Sequence, residues 1–247
     1  MAYRQKLDAL VLSRRNTGEA DRLVTFFSRE HGIVKAVAKG VRKIPSQRGG
    51  HLEPYTQVLA LLSKSSAGFY VGAVETQNQF AELADDKNAL HHARNISHVI
   101  MRLFGESDAQ KELYDAVVYA WRVLPKVSPA KRNIIEAAMI VHSLRCTGLM
   151  PDLRACVTCG STKPSESVVL DAVHGGWKCL LCHADLKSAQ YSLSPRLLRA
   201  VRFMALHPDR AMRLSAPDED SVQLLSALRL FVANTVEQPV KWYNVDV

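Results

Sequence analysis

Along the first eighty residues, apolar side chains come in short runs separated by turn residues. The runs "LDALVLSRR", "RLVTFFSRE", "IVKAVAKGV", "TQVLALLSK" and "FYVGAVETQ" are rich in Val, Leu, Phe and Tyr, and "NTGEAD", "HG", "PSQRGG" and "SSAG" lie between them. Such runs read as strands and such clusters as turns. Five strands at short spacing, with no helix between them, predict a small closed barrel. An OB-fold has this strand count and an SH3-like barrel competes with it, and periodicity does not choose between the two.

From about Asp85 the period becomes helical. "KNALHHARNISHVIMRLFG" places Leu90, Ala93, Ile96, Ile100 and Leu103 on one face. "AQKELYDAVVYAWRVL" and "KRNIIEAAMIVHSLRCTG" follow, with Pro125 and Pro129 between them and Gly148 ending the latter. "SPRLLRAVRFMAL" offers Ser194 as N-cap and Pro195 as first helical residue. "EDSVQLLSALRLFVANTV" opens behind Asp218, Glu219 and Asp220, which suit the positive end of a helix dipole. The reading is an α+β chain of more than one domain: a barrel over residues 1–80 and an all-α region over 81–247. No internal repeat and no long low-complexity linker interrupts it.

Composition sharpens this picture. The 247 residues are 47% hydrophobic, enough for a real core, and carry a net charge of +8 with a pI near 9.3. Residues 1–80 hold twelve Lys and Arg against six acids, so most of the excess lies there. A polyanionic partner fits such a balance. Within "VAKGVRKIPSQRGG", Lys39, Arg42, Lys43 and Arg48 have no acid among them. A solvated surface loop explains a charge run by itself; a strand over "IVKAVAKGV" would also put Lys35 and Lys39 on one face. Arg42, Lys43 and Arg48 would extend that face through a loop loosened by Ser46, Gly49 and Gly50, and Arg14, Arg15 and Arg22 could flank it beside Glu19 and Asp21. Loops beside the binding face of an OB-fold commonly grip nucleic acid. Phe69 and Tyr70 are candidates for base stacking, with core packing as the competing role.

Charges interrupt the N-terminal apolar residues, which argues against a signal peptide, and no apolar run approaches the ~20 residues needed to span a bilayer. A cytoplasmic protein is expected, in which thiols stay reduced. The cysteines then need another explanation. Cys156-x-x-Cys159 and Cys179-x-x-Cys182 are separated by nineteen residues. Two knuckles so spaced complete a tetrahedral all-thiolate zinc site, and four thiolates leave no open position, so one structural zinc per chain is expected in an insertion over about 152–190. Gly160, Gly175 and Gly176 suit the tight knuckle turns. "CLLCH", from Cys179 to His183, also matches a haem-attachment pattern, which would leave Cys156 and Cys159 without a role. A thioredoxin-type redox pair lacks its βαβ context. His174 and His183 are alternative ligands, and Cys146 ends an apolar helix as a core residue.

Catalytic signatures are missing from the sequence. It has no G-x-x-x-x-G-K-[ST], no G-x-G-x-x-G after a strand and no G-x-S-x-G, and "AKGVRK" supplies only part of a phosphate loop. Asp85–Asp86 and Asp218–Glu219–Asp220 sit where helices begin, and capping explains them more simply than a catalytic metal. His91 and His92 have no cysteine or carboxylate at ligand spacing. A non-enzyme is expected.

Assembled, these residues resemble the bacterial RecO family of recombination mediators. The run "LVLSRRNTGEADRLVTFFSREHGIVKAVAKGVRK" resembles that family's opening, with its "GEAD" and "HG" turns and its Ala-Lys-Gly. "HLEPYTQVLALL" resembles the next block, and "GLMPDLRACVTCG" and "GGWKCLLC" its two knuckles. Leu149 stands where an aromatic is commoner, and "ELYDAVVYAW" follows the family's helical block only loosely. The resemblance covers nearly the whole chain in order. It implies an N-terminal OB-fold, a helical domain carrying the zinc knuckles, and a nucleoid-associated cytoplasmic protein. It also implies binding of single- and double-stranded DNA, ATP-free annealing of complementary strands, and cooperation with RecR in loading RecA onto strands covered by single-strand binding protein, whose acidic tail would be a partner. The competing readings are a zinc-stabilised protein-interaction scaffold with a basic face, and a nucleic-acid-modifying enzyme.

Overall fold

Apolar–polar alternation becomes five strands: β1 (Arg4–Thr17), β2 (Asp21–Ser28), β3 (Gly32–Ala38), β4 (Gln57–Ser65) and β5 (Gly68–Asn78). The computed structural model describes residues 4–43, 48–106, 108–164, 167–182, 191–236 and 240–243. The strands close in the order β1-β2-β3-β5-β4, and every ladder is antiparallel except that of β3 with β5. This is the order of an OB-fold, and it decides the choice that periodicity left open. Leu7, Ala9, Val11, Phe26, Ala36 and Leu62 point inward, and Leu52, from a short 3-10 turn at Gly50–Leu52, joins them in the barrel core.

Outward-facing residues of β1 and β2 are also apolar, because helices cover them. Leu10, Leu12 and Phe27 are buried although they lie outside the barrel core. The Phe27 ring stands 6.3 Å from Phe104 and 6.0 Å from Tyr114. Behind β5 follow α1 (Ala81–Asp85), α2 (Lys87–Leu103) and α3 (Lys111–Val123), and α2 and α3 lie against these strands. Asp86 caps α2 by accepting the Ala89 N–H at 2.9 Å, as capping predicts. The buried face of α2 is broader than the predicted stripe. Ala93, Ile96 and Ile100 are buried, whereas Leu90 and Leu103 are half-buried and His92, Asn95 and Ser97 are buried in their stead. Ser97 meets the cost by donating to the Ala93 carbonyl at 2.8 Å.

Two further contacts tie α3 to the strands. Tyr114 donates its hydroxyl to Asp8 at 2.8 Å; burial first, and then this hydrogen bond, push its pKa up. Trp121 is fully buried and meets Tyr55 and Phe80 in T-shaped contacts, each with its ring centre 5.5 Å away. Both of those residues have positive φ, 65° and 45°, which non-glycine residues rarely adopt. The compact unit containing the barrel accordingly runs to Pro125. A division at residue 80 separates strands from helices, and compactness divides the chain after α3.

The second unit, Lys126–Tyr243, holds α4 (Pro129–Cys146), a hairpin of β6 (Val168–Asp171) and β7 (Gly176–Cys179), then α5 (Pro195–Leu206), α6 (Pro208–Ala211) and α7 (Asp218–Thr235). Ser128 and Ser194 cap α4 and α5, each with proline at the first helical position. Asp218, Glu219 and Asp220 occupy the first turn of α7. Every residue from Ile134 to Leu144 is buried, so α4 is a central helix rather than an amphipathic one. Among the described residues, no helix is long and apolar enough to cross a membrane.

Glu136 in α4 is 0% exposed, and Arg229 of α7 reaches it with two hydrogen bonds of 2.8 and 2.9 Å. The Trp242 ring lies 5.3 Å from the same guanidinium. Removing the guanidinium takes two charge-assisted hydrogen bonds at once from a fully buried carboxylate. Arg229→Ala should therefore lower unfolding free energy in denaturant melts by about 3 kcal/mol or more, well beyond the loss expected for an exposed ion pair.

Candidate metal centre and nucleic-acid interface

The cysteine segment is shaped by close backbone approaches. Gly160, at φ 73°, lets its N–H reach the Cys156 carbonyl at 2.9 Å. A Cβ on Gly176 would overlap the Val157 side chain. Val157 donates to the Trp177 carbonyl at 2.9 Å, which lays the first knuckle alongside β7. The fully buried Trp177 indole donates to the Leu153 carbonyl at 3.1 Å, and Arg202 of α5 donates its Nε–H to that carbonyl at 2.8 Å. One backbone oxygen thus fixes the approach to the first cysteine pair.

These constraints gather Cys156, Cys159, Cys179 and Cys182 so that their sulfurs all lie within 4.8 Å of one another. Cys179 Sγ is 3.9 Å from both Cys156 and Cys159. A disulfide needs ~2.05 Å, and all four cysteines are free. A tetrahedron with ~2.3 Å zinc–sulfur arms has edges of ~3.8 Å, so the spacing fits an ion. At Cys156, burial opposes the thiolate, but hydrogen bonds from the Cys159, Cys179 and Thr158 backbone outweigh it and bring the pKa down to about 6. Cys182 is pushed up to about 12, first by its hydrogen bond with Cys179 and then by its surroundings. Four thiolates crowded together oppose one another's ionisation, and a bound cation removes that opposition. The cluster could hold a metal ion, with one sulfur from each residue.

Among the described residues, this is the one group of three or more His, Cys, Asp and Glu side chains placed to share an ion. His174 stands apart, its Nδ1 2.9 Å from Asp171. His183 lies outside the described residues. Cys146, at the end of α4, is half-buried. Asp86 is engaged in capping, Asp85 ends α1, and His92 is buried within α2.

The basic stretch is more structured than a charge run suggests. Lys35 is exposed in β3. Lys39 follows that strand, its Nζ 4.5 Å from the centre of the Tyr70 ring. Arg42 donates to the Glu19 backbone carbonyl at 3.1 Å and stays exposed, as does Lys43. Arg48 differs from the expectation of a cation on a loose loop. Its guanidinium donates to the carbonyls of Lys39 at 3.0 Å and of Val71 and Gly72 at 3.2 Å. Residues 44–47, including Ser46, lie outside the described residues.

The neighbouring acids form no ion pair with this stretch among the described residues. Asp21 accepts the Gly40 N–H at 2.7 Å and so fixes a turn. Arg14 and Arg22 share Glu53, at 2.6 and 3.5 Å, while Arg15 is exposed. Among the described residues, no carboxylate pairs with Lys35, Lys39, Arg42, Lys43, Arg48 or Arg15. Phe69 is half-buried and packs on the barrel core, with Lys64 Nζ 5.4 Å from its ring centre. Glu53 and Lys64 were not singled out from sequence. A signal for Lys64 existed, because the tight "SKSSAGF" hairpin sets it directly across from Phe69.

A family model described as Recombination protein O N terminal matches residues 1–76, and one described as Recombination protein O C terminal matches residues 84–243. The DNA repair protein RecO of Bifidobacterium longum subsp. infantis is 31% identical over 221 residues, covering 88% of this chain and 89% of its own. The DNA repair protein RecO of Anaeromyxobacter dehalogenans is 33% identical over 181 residues, covering 72% of this chain and 70% of its own.

The hairpin beside the cluster also carries a testable ion pair. Burial opposes ionisation of Asp171, but hydrogen bonds from Lys178 and His174 prevail and hold its pKa at about 2, below the ordinary 3.8. A depressed carboxylate stabilises the fold above about pH 4 and loses that contribution as pH falls through about 2. Carboxyl NMR titration should give a midpoint near 2 for Asp171, moving up toward the ordinary value in Lys178→Met.

Proposed function

Because this chain belongs to the RecO family of DNA repair proteins, we propose that it binds single- and double-stranded DNA and anneals complementary strands without ATP. The observation that carries this reading is an OB-fold barrel whose cations at β3 and the following turn lack carboxylate partners among the described residues. Complementary strands repel through their phosphates, and a basic surface holding both offsets that repulsion and raises their local concentration. Phosphate contacts carry little sequence information and release counterions, so binding is weakly sequence-dependent and strongly salt-dependent. In this reading Lys35, Lys39, Arg42 and Lys43 contact phosphate, Arg15 extends the face, and Arg14, Arg22 and Arg48 hold its shape. Single-strand binding protein, through its acidic tail, RecR and, functionally, RecA are the partners of this cytoplasmic, nucleoid-associated and non-catalytic mediator.

Annealing of fluorescent complementary strands should proceed with chelator present and nucleotide absent, and dependence on ATP hydrolysis by this chain would sink the proposal. Lys39→Ala/Arg42→Ala/Lys43→Ala should weaken binding to all sequences alike. For every phosphate that a removed cation had neutralised, the log–log salt slope should fall by ~0.7 on single strands and ~0.9 on duplex. An unchanged slope would make the stretch a solvated surface.

The ion at the cysteine cluster is proposed to be zinc, one per chain, held by Cys156, Cys159, Cys179 and Cys182. Four sulfurs close its coordination, so its contribution is folding energy, roughly 10–16 kcal/mol of apparent binding in isolated zinc peptides. Elemental analysis should find one zinc per chain, and Cys159→Ser should lose the metal and solubility while the barrel's circular dichroism persists.

A further inference from the structure

The barrel seam is incomplete at one end. β3 pairs with β5 only from Ala36, opposite Phe69, onward. Before that point Glu106 bridges Gly32 and Ile33, and the edge at Val34 and Lys35 has no strand on its β5 side among the described residues. A cavity of about 340 Å³ opens there, bordered by Phe69, Lys35, Lys64, His31, Gln5 and Glu106.

Its chemistry is uneven in a useful way. Phe69 offers an aromatic surface held by the core beneath it and by strand pairing with Lys64 across the β4–β5 hairpin. Lys35 and Lys64 are exposed cations on two different strands at its rim. The Gln5 amide and the Glu106 carboxylate supply hydrogen-bonding groups that a hydrocarbon ligand would leave unused. The space matches the lower end of small-ligand sites, ~300 Å³, which is the scale of one base with its sugar.

We propose that this cavity receives one unpaired base of a single strand, stacked on Phe69, with the adjoining phosphates on Lys35 and Lys64. The inference rests on the DNA-binding reading above and deepens it. Lys64, now over the ring, moves aside to a phosphate as the base arrives. A base already in a duplex is stacked and paired and cannot enter, so the cavity discriminates between the substrate and the product of annealing. Pairing withdraws the base, and the duplex is released from the seam while the basic face retains only its phosphate grip.

Ultraviolet crosslinking of the full chain to a single strand carrying one 5-iododeoxyuridine tests this without altering the protein. The adduct should map to the peptide containing Phe69 and vanish when the same strand is presented as a hairpin duplex. Phe69→Leu keeps apolar contact with the core and should weaken single-strand binding by about 5- to 150-fold, the loss of one stacked base, with duplex affinity unchanged. Lys64→Gln, an exposed change that leaves folding intact, should weaken single-strand binding in the same direction. If the wild-type chain binds single strands but crosslinks elsewhere and both variants bind normally, the base site is overturned and the DNA-binding reading stands. Equal losses on single strand and duplex would also overturn it. If the wild-type chain binds neither form, both proposals fall together.

Discussion

The barrel closes through two residue pairs, Ala36 with Phe69 and Val37 with Tyr70. They are the one parallel contact in an otherwise antiparallel circle, so β3 and β5 need not follow one another across a turn and their register is set elsewhere. Arg48 supplies part of what the ladder lacks. Its guanidinium spans from the Lys39 carbonyl, just beyond β3, to the Val71 and Gly72 carbonyls in β5. A planar fork of fixed donors suits three converging carbonyls, and no lysine could span them in the same way. Position along the seam then decides what each neighbour does: beyond its paired stretch, Lys39 covers Tyr70, and before it the edge opens beside Phe69.

Electrostatics follow from this architecture. Glu53 is shared by Arg14 and Arg22, so these cations are partly neutralised on one side of the barrel. Asp21 is spent on a backbone N–H and Glu19 contributes its carbonyl. Among the described residues, the cations of β3 and the turn after it thus have no carboxylate ion-pair partner, even though acids lie close by in sequence. Exposed cations of this kind contribute little to stability. The fold therefore does not require their density.

Legibility in the sequence tracked locality. Five strands, the helix cap at Ser194 and the four cysteines were readable because alternation, a cap and a knuckle each span only a few residues. Apolarity on both faces of β2 was not, since Phe104 and Tyr114, which stand against Phe27, lie far along the chain. Arg48 looked like its basic neighbours because two of the three carbonyls it serves belong to a strand more than twenty residues away. The buried Glu136 resembled any helical glutamate until Arg229, ninety-three residues later, was placed against it. The parallel β3–β5 pairing, on which the OB order turns, leaves no local trace at all.

Trp121 carries a consequence for the order in which the molecule is made. Tyr55 precedes β4 and Phe80 follows β5, and both reach left-handed backbone conformations against that single indole. The ribosome completes all five strands before it adds Trp121, forty-one residues after Phe80. At ~5–20 residues per second this leaves an interval of ~2–8 s. For that time the two ends of the β4–β5 hairpin lack the side chain that holds them in their final conformation, and the hairpin bearing Phe69 and Tyr70 waits on a helix translated well after it.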